Sequence, residues 1–143
     1  MTTFFEWAFS STSQNIRIGF EDVVFARAHP DKYTFIHTLP SNKQSYLITG
    51  TLTAEEEEAF MNTLLTQYQS DPPAIILYGK NATDETPYKK HTQLRTLGIS
   101  NVWVYSGGLF EWALLQDVYG EKEFPTTQKD TDILKWRPEK TFQ

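Results

Sequence analysis

Two short stretches hold the residues best suited to chemistry. Gly79-Lys80-Asn81-Ala82-Thr83-Asp84 follows the apolar run Ala74 to Tyr78, and Ser106-Gly107-Gly108 follows Val102 to Tyr105. Each reads as the turn from a strand into the start of a helix. Successive backbone N–H groups at such a turn can cradle an anion. Lys80 in the first stretch, and His91 on the helix after it, are the side chains that would add charge to that cradle. A phosphate or carboxylate is the ligand such a site would take. Lys89, Lys90 and Arg95 extend the same local basic group, whose plainer role is a solvated helix face.

Other chemistry finds less support. The hydroxyls of Thr83, Thr86 and Ser106 lack the Gly-x-Ser-x-Gly elbow of a nucleophilic serine, and turn or capping roles suit them better. His29, His37 and His91 are the only histidines. They fall on three different elements with no His-Glu-x-x-His spacing, so no metal site and no cofactor are expected. Glu111 and Asp117 are six residues apart and share no helical face, which argues against an acid–base pair. The chain contains no cysteine. Disulfides, thiolate-held metals and every thiolate nucleophile are thereby excluded.

The elements needed to carry these loops can be read from periodicity. Ile16-Arg17-Ile18 predicts a short strand, and Phe20 to Ala28 a helix that His29-Pro30-Asp31 ends. Tyr33 to His37 and Tyr46 to Leu52 predict two more strands. Thr53 and Glu56 form the Thr-x-x-Glu capping pair of a helix with Phe60, Leu64, Leu65 and Tyr68 on its buried stripe, ended by Asp71-Pro72-Pro73. The continuous apolar run Ala74 to Tyr78 predicts a strand buried on both faces of a parallel sheet. Pro87 suits the first position of the next helix, capped by Thr86 or Asp84, with Gly98 just past its end. Val102 to Tyr105 is the fifth strand. Gly107 and Gly108 are expected to allow positive φ or close packing, and Trp112 on the last helix belongs in the core. Strands alternating with helices predict an α/β fold with a five-stranded, mainly parallel sheet covered by helices on both faces.

Composition limits the partners. The 143 residues carry a formal charge of −5, with 22% charged and 15% aromatic residues. An acidic chain is a poor general binder of nucleic acid. Phe4 to Phe9 is too short for a spanning helix and lacks a basic start, so neither membrane nor export is expected. The expectation is a soluble, intracellular protein. Phe4, Phe5, Trp7 and Phe9 at one end, and Ile133, Leu134 and Trp136 at the other, are too apolar for free tails. They are expected to pack on the domain or to dock on a partner or a second copy.

Leu77-Tyr78-Gly79, the helix ending Leu94-x-x-Leu97-Gly98, Val102-Trp103-Val104-Tyr105 and Gly107-Gly108-Leu109-x-x-Trp112 resemble the carboxyl half of rhodanese-like domains. Ile18-x-Phe20-Glu21-Asp22-Val23 and Tyr33 to His37 are similar in outline to its front half. Tyr78-Gly79-Lys80-Asn81, Leu115 to Gly120 and Phe124-Pro125-Thr126-Thr127 are similar to a branch of small stand-alone members. The resemblance implies a single rhodanese-like domain at 16–127, preceded by an aromatic segment at 1–15 and followed by an extension at 128–143. It also implies that the former active-site loop spans Gly79 to Asp84, with Gly107 and Gly108 at its rim. The family's persulfide-bearing Cys would fall at Gly79, or at Ala82 in a slipped register, and its loop Arg at Asp84.

These departures remove sulfur transfer and Cys-dependent phosphatase chemistry. The leading expectation is therefore a non-enzymatic binding or scaffold module using the former loop or its surface, with a protein partner still to be named. One alternative is a non-covalent binder, or a non-cysteine enzyme, for a small anion in the same cleft, held by Lys80 and His91. Another is an assembly component, including a homo-oligomer, built on the aromatic ends.

Overall fold

The computed structural model describes residues 15–130 and 132–142. Apart from Asn15, the N-terminal segment expected to pack on the domain lies outside these residues. The chain forms β1 (Arg17–Ile18), α1 (Phe20–Arg27), β2 (Tyr33–His37), α2 (Ala54–Thr66), β3 (Ala74–Tyr78), α3 (Thr86–Thr96), β4 (Val102–Tyr105) and α4 (Gly108–Tyr119). Short 3-10 helices lie at Ser41–Lys43 and Ile133–Trp136. All named strands pair in parallel, in the order β1-β4-β3-β2.

β3 is central, and its five residues are all buried. Because strand side chains alternate, the run divides between two cores. Ile76 and Tyr78 join Val23 and Ala26 of α1 and Leu109 and Trp112 of α4. Ile75 and Leu77 join Leu94 of α3, with Phe60, Met61 and Leu64 of α2 packed against them. Each such large side chain contributes about 1.5–3 kcal/mol through burial, which explains why an unbroken apolar run sits at the centre.

The sheet has four strands rather than the five expected. Tyr46 to Leu52 makes only isolated bridges, Thr51 with Phe35 and Ile48 with Thr126. Gly50 turns the chain there at φ +102. Its amides find other acceptors: Leu47 N donates to Thr127 Oγ1 at 3.0 Å, Thr49 N to Pro125 O at 3.1 Å, and Ile48 N to the Tyr78 hydroxyl at 3.1 Å. Side chains and a distant segment thus supply what a fifth strand would have drawn from a ladder.

The helix termini follow local chemistry. Thr53 and Glu56 form the reciprocal capping box at the start of α2. That helix ends at Thr66, where Gln67 turns extended, so Tyr68 is 93% exposed rather than part of the buried stripe. Gly98 adopts φ +89 just beyond α3, as its place there predicts. Across the described residues no helix is long and apolar enough to cross a membrane.

The Tyr78 side chain is fully buried and joins the irregular segment to the sheet. Its hydroxyl accepts from Ile48 N and lies 2.6 Å from Thr51 Oγ1, which in turn donates to Ile48 O at 2.7 Å. Burial pushes the phenol well above its ordinary range, so it stays protonated. Tyr78→Phe leaves a buried Ile48 N–H without its acceptor and should cost about 1–3 kcal/mol in urea unfolding. An unchanged midpoint would mean that water replaces the hydroxyl.

Candidate functional site

Both loops predicted from the sequence lie at the carboxyl ends of β3 and β4, where parallel sheets bind ligands. They are joined to each other. Leu109 N donates to Gly79 O at 3.0 Å and Phe110 N to Lys80 O at 2.8 Å, so the first turn of α4 is spent on the loop after β3. Gly108 makes the approach feasible: it sits at φ +65, and a Cβ there would lie 2.8 Å from Asn81 N and from Gly79 O. Gly107 has a different reason. A Cβ there would lie 2.5 Å from the Glu111 carboxyl carbon, and that carboxylate accepts the Tyr105 hydroxyl at 2.8 Å.

Gly79 is buried directly after β3, whereas Ala82 is exposed at the loop's far side. The cradle that follows Gly79 is filled from within. Asp84 Oδ2 accepts Lys80 N at 2.9 Å, while Oδ1 accepts Thr86 N at 3.0 Å and Thr86 Oγ1 at 2.7 Å. The Asp84 carboxylate thus occupies the place where the loop amides would hold an anion. It also takes the room of a side chain at position 79. A Cβ on Gly79 would collide with Asp84 Oδ2 and lie 2.9 Å from its carboxyl carbon. The N-cap of α3 is Glu85, which makes no side-chain cap, rather than Thr86 or Asp84; Asp84, one residue earlier, accepts from Thr86 N, and Pro87 is second in the helix.

Asn81 completes the seal and is itself buried. Its Oδ1 accepts Thr83 N at 3.0 Å and Thr83 Oγ1 at 2.8 Å, and its Nδ2 donates to Trp136 O at 3.0 Å. The Thr83 and Thr86 hydroxyls are therefore committed to the loop's own turns. Trp136 is a residue the sequence marks only as part of an apolar tail. Its indole is buried against Tyr46, with ring centroids 5.6 Å apart and planes 19° apart. The extension thus forms part of the loop's wall.

The basic group read from the sequence separates in space. His91, expected at the surface, is buried, and its Nε2 donates to Val102 O at 3.1 Å. Lys90 lies 3.8 Å from Glu57 and with Lys89 borders a depression beside His37, while Lys89 also lines one with Ala82, Thr83, Asp84 and Ser106. Lys80 alone of these residues borders the groove formed by the loop and the C-terminal extension. Burial, above all, lowers the pKa of both His37 and His91; Lys90 adds to the effect at His37. His37 Nδ1 accepts Leu39 N at 3.1 Å, a bond that protonation of this atom would break. Among the described residues, no cluster of three His, Cys, Asp or Glu is arranged to hold a metal.

No protein-family model and no curated protein matches the sequence. Among solved structures, the Alr3790 protein of Anabaena matches over 82% of this chain and 97% of its own, with a TM-score of 0.55 at 18% identity. A Lactobacillus plantarum protein matches over 78% of this chain and 92% of its own, with a TM-score of 0.55 at 14% identity. BH2092 of Bacillus halodurans covers 80% of each chain, with a TM-score of 0.55 at 12% identity. A separate structure of Alr3790 is described as its rhodanese-like domain. The likeness establishes the fold: a rhodanese-like α/β arrangement, here without a cysteine.

Two outcomes follow from this geometry. Gly79→Ala should destabilise the protein by about 1–3 kcal/mol, because Asp84 must leave its three donors to make room. In the Gly79→Ala/Asp84→Gly double variant the two losses should fail to add by more than about 0.5 kcal/mol, whereas strict additivity would separate the two residues. For His37 and His91, the folded pKa lies below the unfolded value, near 6.5. Their contribution to stability is therefore complete above that value and is lost as pH falls through the folded pKa. Urea midpoints measured at about pH 7.5 and about pH 5.5 should fall with acidification, and His91→Gln should flatten that fall.

Proposed function

We propose that the protein is a catalytically inactive rhodanese-like module that acts by binding a protein partner at the surface around its former active-site loop. The observation that carries this reading is the Asp84 carboxylate on the Lys80 and Thr86 amides, in the space a side chain at position 79 would need. With no cysteine in the chain, nothing is available to carry a persulfide or a thiophosphoryl group. The loop keeps its connection to α4 and its buried Asn81, so it serves as a rigid surface rather than as a reaction vessel.

The small-anion alternative has weaker support, because an incoming phosphate would have to displace a tethered carboxylate that already satisfies the same donors. For the assembly alternative, Trp136 is turned into its own core, whereas Leu134 and Phe142 at the same end are exposed. Phe4, Phe5, Trp7 and Phe9 lie outside the described residues.

The test is a thermal-shift titration with sulfate, phosphate and thiosulfate, alongside a thiosulfate-to-cyanide transfer assay. The protein should give no saturable shift and no turnover, and Gly79→Cys alone should remain inactive. Asp84→Ala should expose the amides and give a saturable shift, about 2.7 kcal/mol at 100-fold the dissociation constant. Saturable anion binding by the unmodified protein, or sulfur transfer by Gly79→Cys, would overturn the sealed-loop reading.

A further inference from the structure

Beside the sealed loop lies an open groove of about 740 Å³ whose walls come from three distant parts of the chain. Lys43 enters from the first 3-10 helix, Lys80 from the loop, and Lys135, Arg137 and Lys140 from the C-terminal extension. We infer that this groove binds an acidic peptide segment of a protein partner. The inference deepens the proposed function and rests on it, because a loop filled by Asp84 leaves side-chain cations as the means of recognising carboxylates.

Charge distribution is the first argument. The chain has 13 Lys and Arg against 18 Asp and Glu, yet this groove collects five cations against Asp84, Glu85 and Glu139. Of those three carboxylates, Asp84 is committed to the loop amides. Among the described residues, only one of the five cations has an ion pair, Lys135 with Asp130 at 3.7 Å.

Placement is the second argument. The ammonium groups of Lys135 and Lys43 lie 5.4 and 6.0 Å from the centroid of the Trp136 ring. They are therefore no more than about 11 Å apart, near enough for neighbouring carboxylates of one peptide segment to reach both. The indole that gathers them is fixed on both sides, by Tyr46 through its ring and by Asn81 through its carbonyl. Lys135 is already paired with Asp130, so Lys43, with no ion pair among the described residues, is the cation beside the indole open to an incoming carboxylate.

The ligand class follows from what interrupts the positive surface. Glu85 and Glu139 stand among the cations and the chain is acidic overall, which disfavours a continuous phosphate backbone. Separately spaced carboxylates on a flexible peptide can meet the cations and avoid those acids.

Fluorescence anisotropy with a labelled octapeptide of alternating Glu and Gly tests the inference, with an alternating Lys-Gly octapeptide and an RNA octamer as competitors. The acidic peptide should bind saturably, and raising salt from about 50 to about 200 mM should weaken it several-fold. Lys43→Ala and Lys140→Ala should each weaken binding by about threefold or more, while Lys122→Ala, remote from the groove, should have no effect. Retained thermal stability of each variant separates lost contact from lost folding. No saturable binding, equal binding by the Lys-Gly peptide, insensitivity to Lys43→Ala and Lys140→Ala, or tighter binding of RNA would each overturn it. An Asp84→Ala arm distinguishes the two readings. Phosphate binding by the unmodified protein that survives Lys43→Ala and Lys140→Ala would overturn the sealed loop, whereas phosphate binding that those variants abolish belongs to the groove.

Discussion

Much of this structure's character depends on one carboxylate. Asp84 takes two backbone amides and a hydroxyl, Lys80 N, Thr86 N and Thr86 Oγ1, and so closes a loop that would otherwise present unpaired donors at a helix N-terminus. Hydrogen bonds to a charged acceptor are each worth about 1.5–3 kcal/mol, and here the acceptor is tethered four residues from its first donor. No free anion can match that local concentration. The loop is consequently a finished structural unit, and α4 begins on it by donating from Leu109 and Phe110 to the Gly79 and Lys80 carbonyls.

The same completion extends outward through the end of the chain. Trp112 Nε1 donates to Pro125 O, Gln116 Nε2 to Phe124 O, and Thr127 N to Leu47 O, so residues 124–127 bind α4 to the segment that failed to become a strand. Trp136 then buries its ring on Tyr46 of that segment and offers its carbonyl to Asn81 in the loop. The C-terminal extension is therefore integral to the domain. It links the irregular edge to the loop after β3, and the charges it carries border that loop because its tryptophan anchors them there.

Local features were legible in the sequence, and long-range ones were not. The apolar run Ala74 to Tyr78, the Thr53–Glu56 cap and the glycine after α3 each declare themselves within a few residues, and the structure has all three. Tyr46 to Leu52 has the composition of a strand, but its hydrogen-bond partners are Tyr78, Pro125 and Thr127. Those contacts exist only after the chain has folded, and no window of residues announces them. His91 misled for a related reason: polar neighbours on α3 suggest an exposed face, while the carbonyl of Val102 offers a buried acceptor. The groove was illegible because Lys43, Lys80 and Lys140 are separated along the chain and meet only through Trp136 and the loop.

Of the positions that the resemblance singles out, Gly79, Ala82 and Asp84, the first and the last meet in space. A side chain at position 79 and the carboxylate of Asp84 compete for one volume. An arginine at position 84 would add a cation to a cradle of N–H donors and leave room for a bound anion; aspartate supplies the anion itself. Glycine at position 79 is what allows that carboxylate to reach the amides. A cysteine placed at position 79 would therefore find neither the space nor the charge balance of an anion-receiving loop. The loop contains its own anion, and the cations that remain available face the groove outside it.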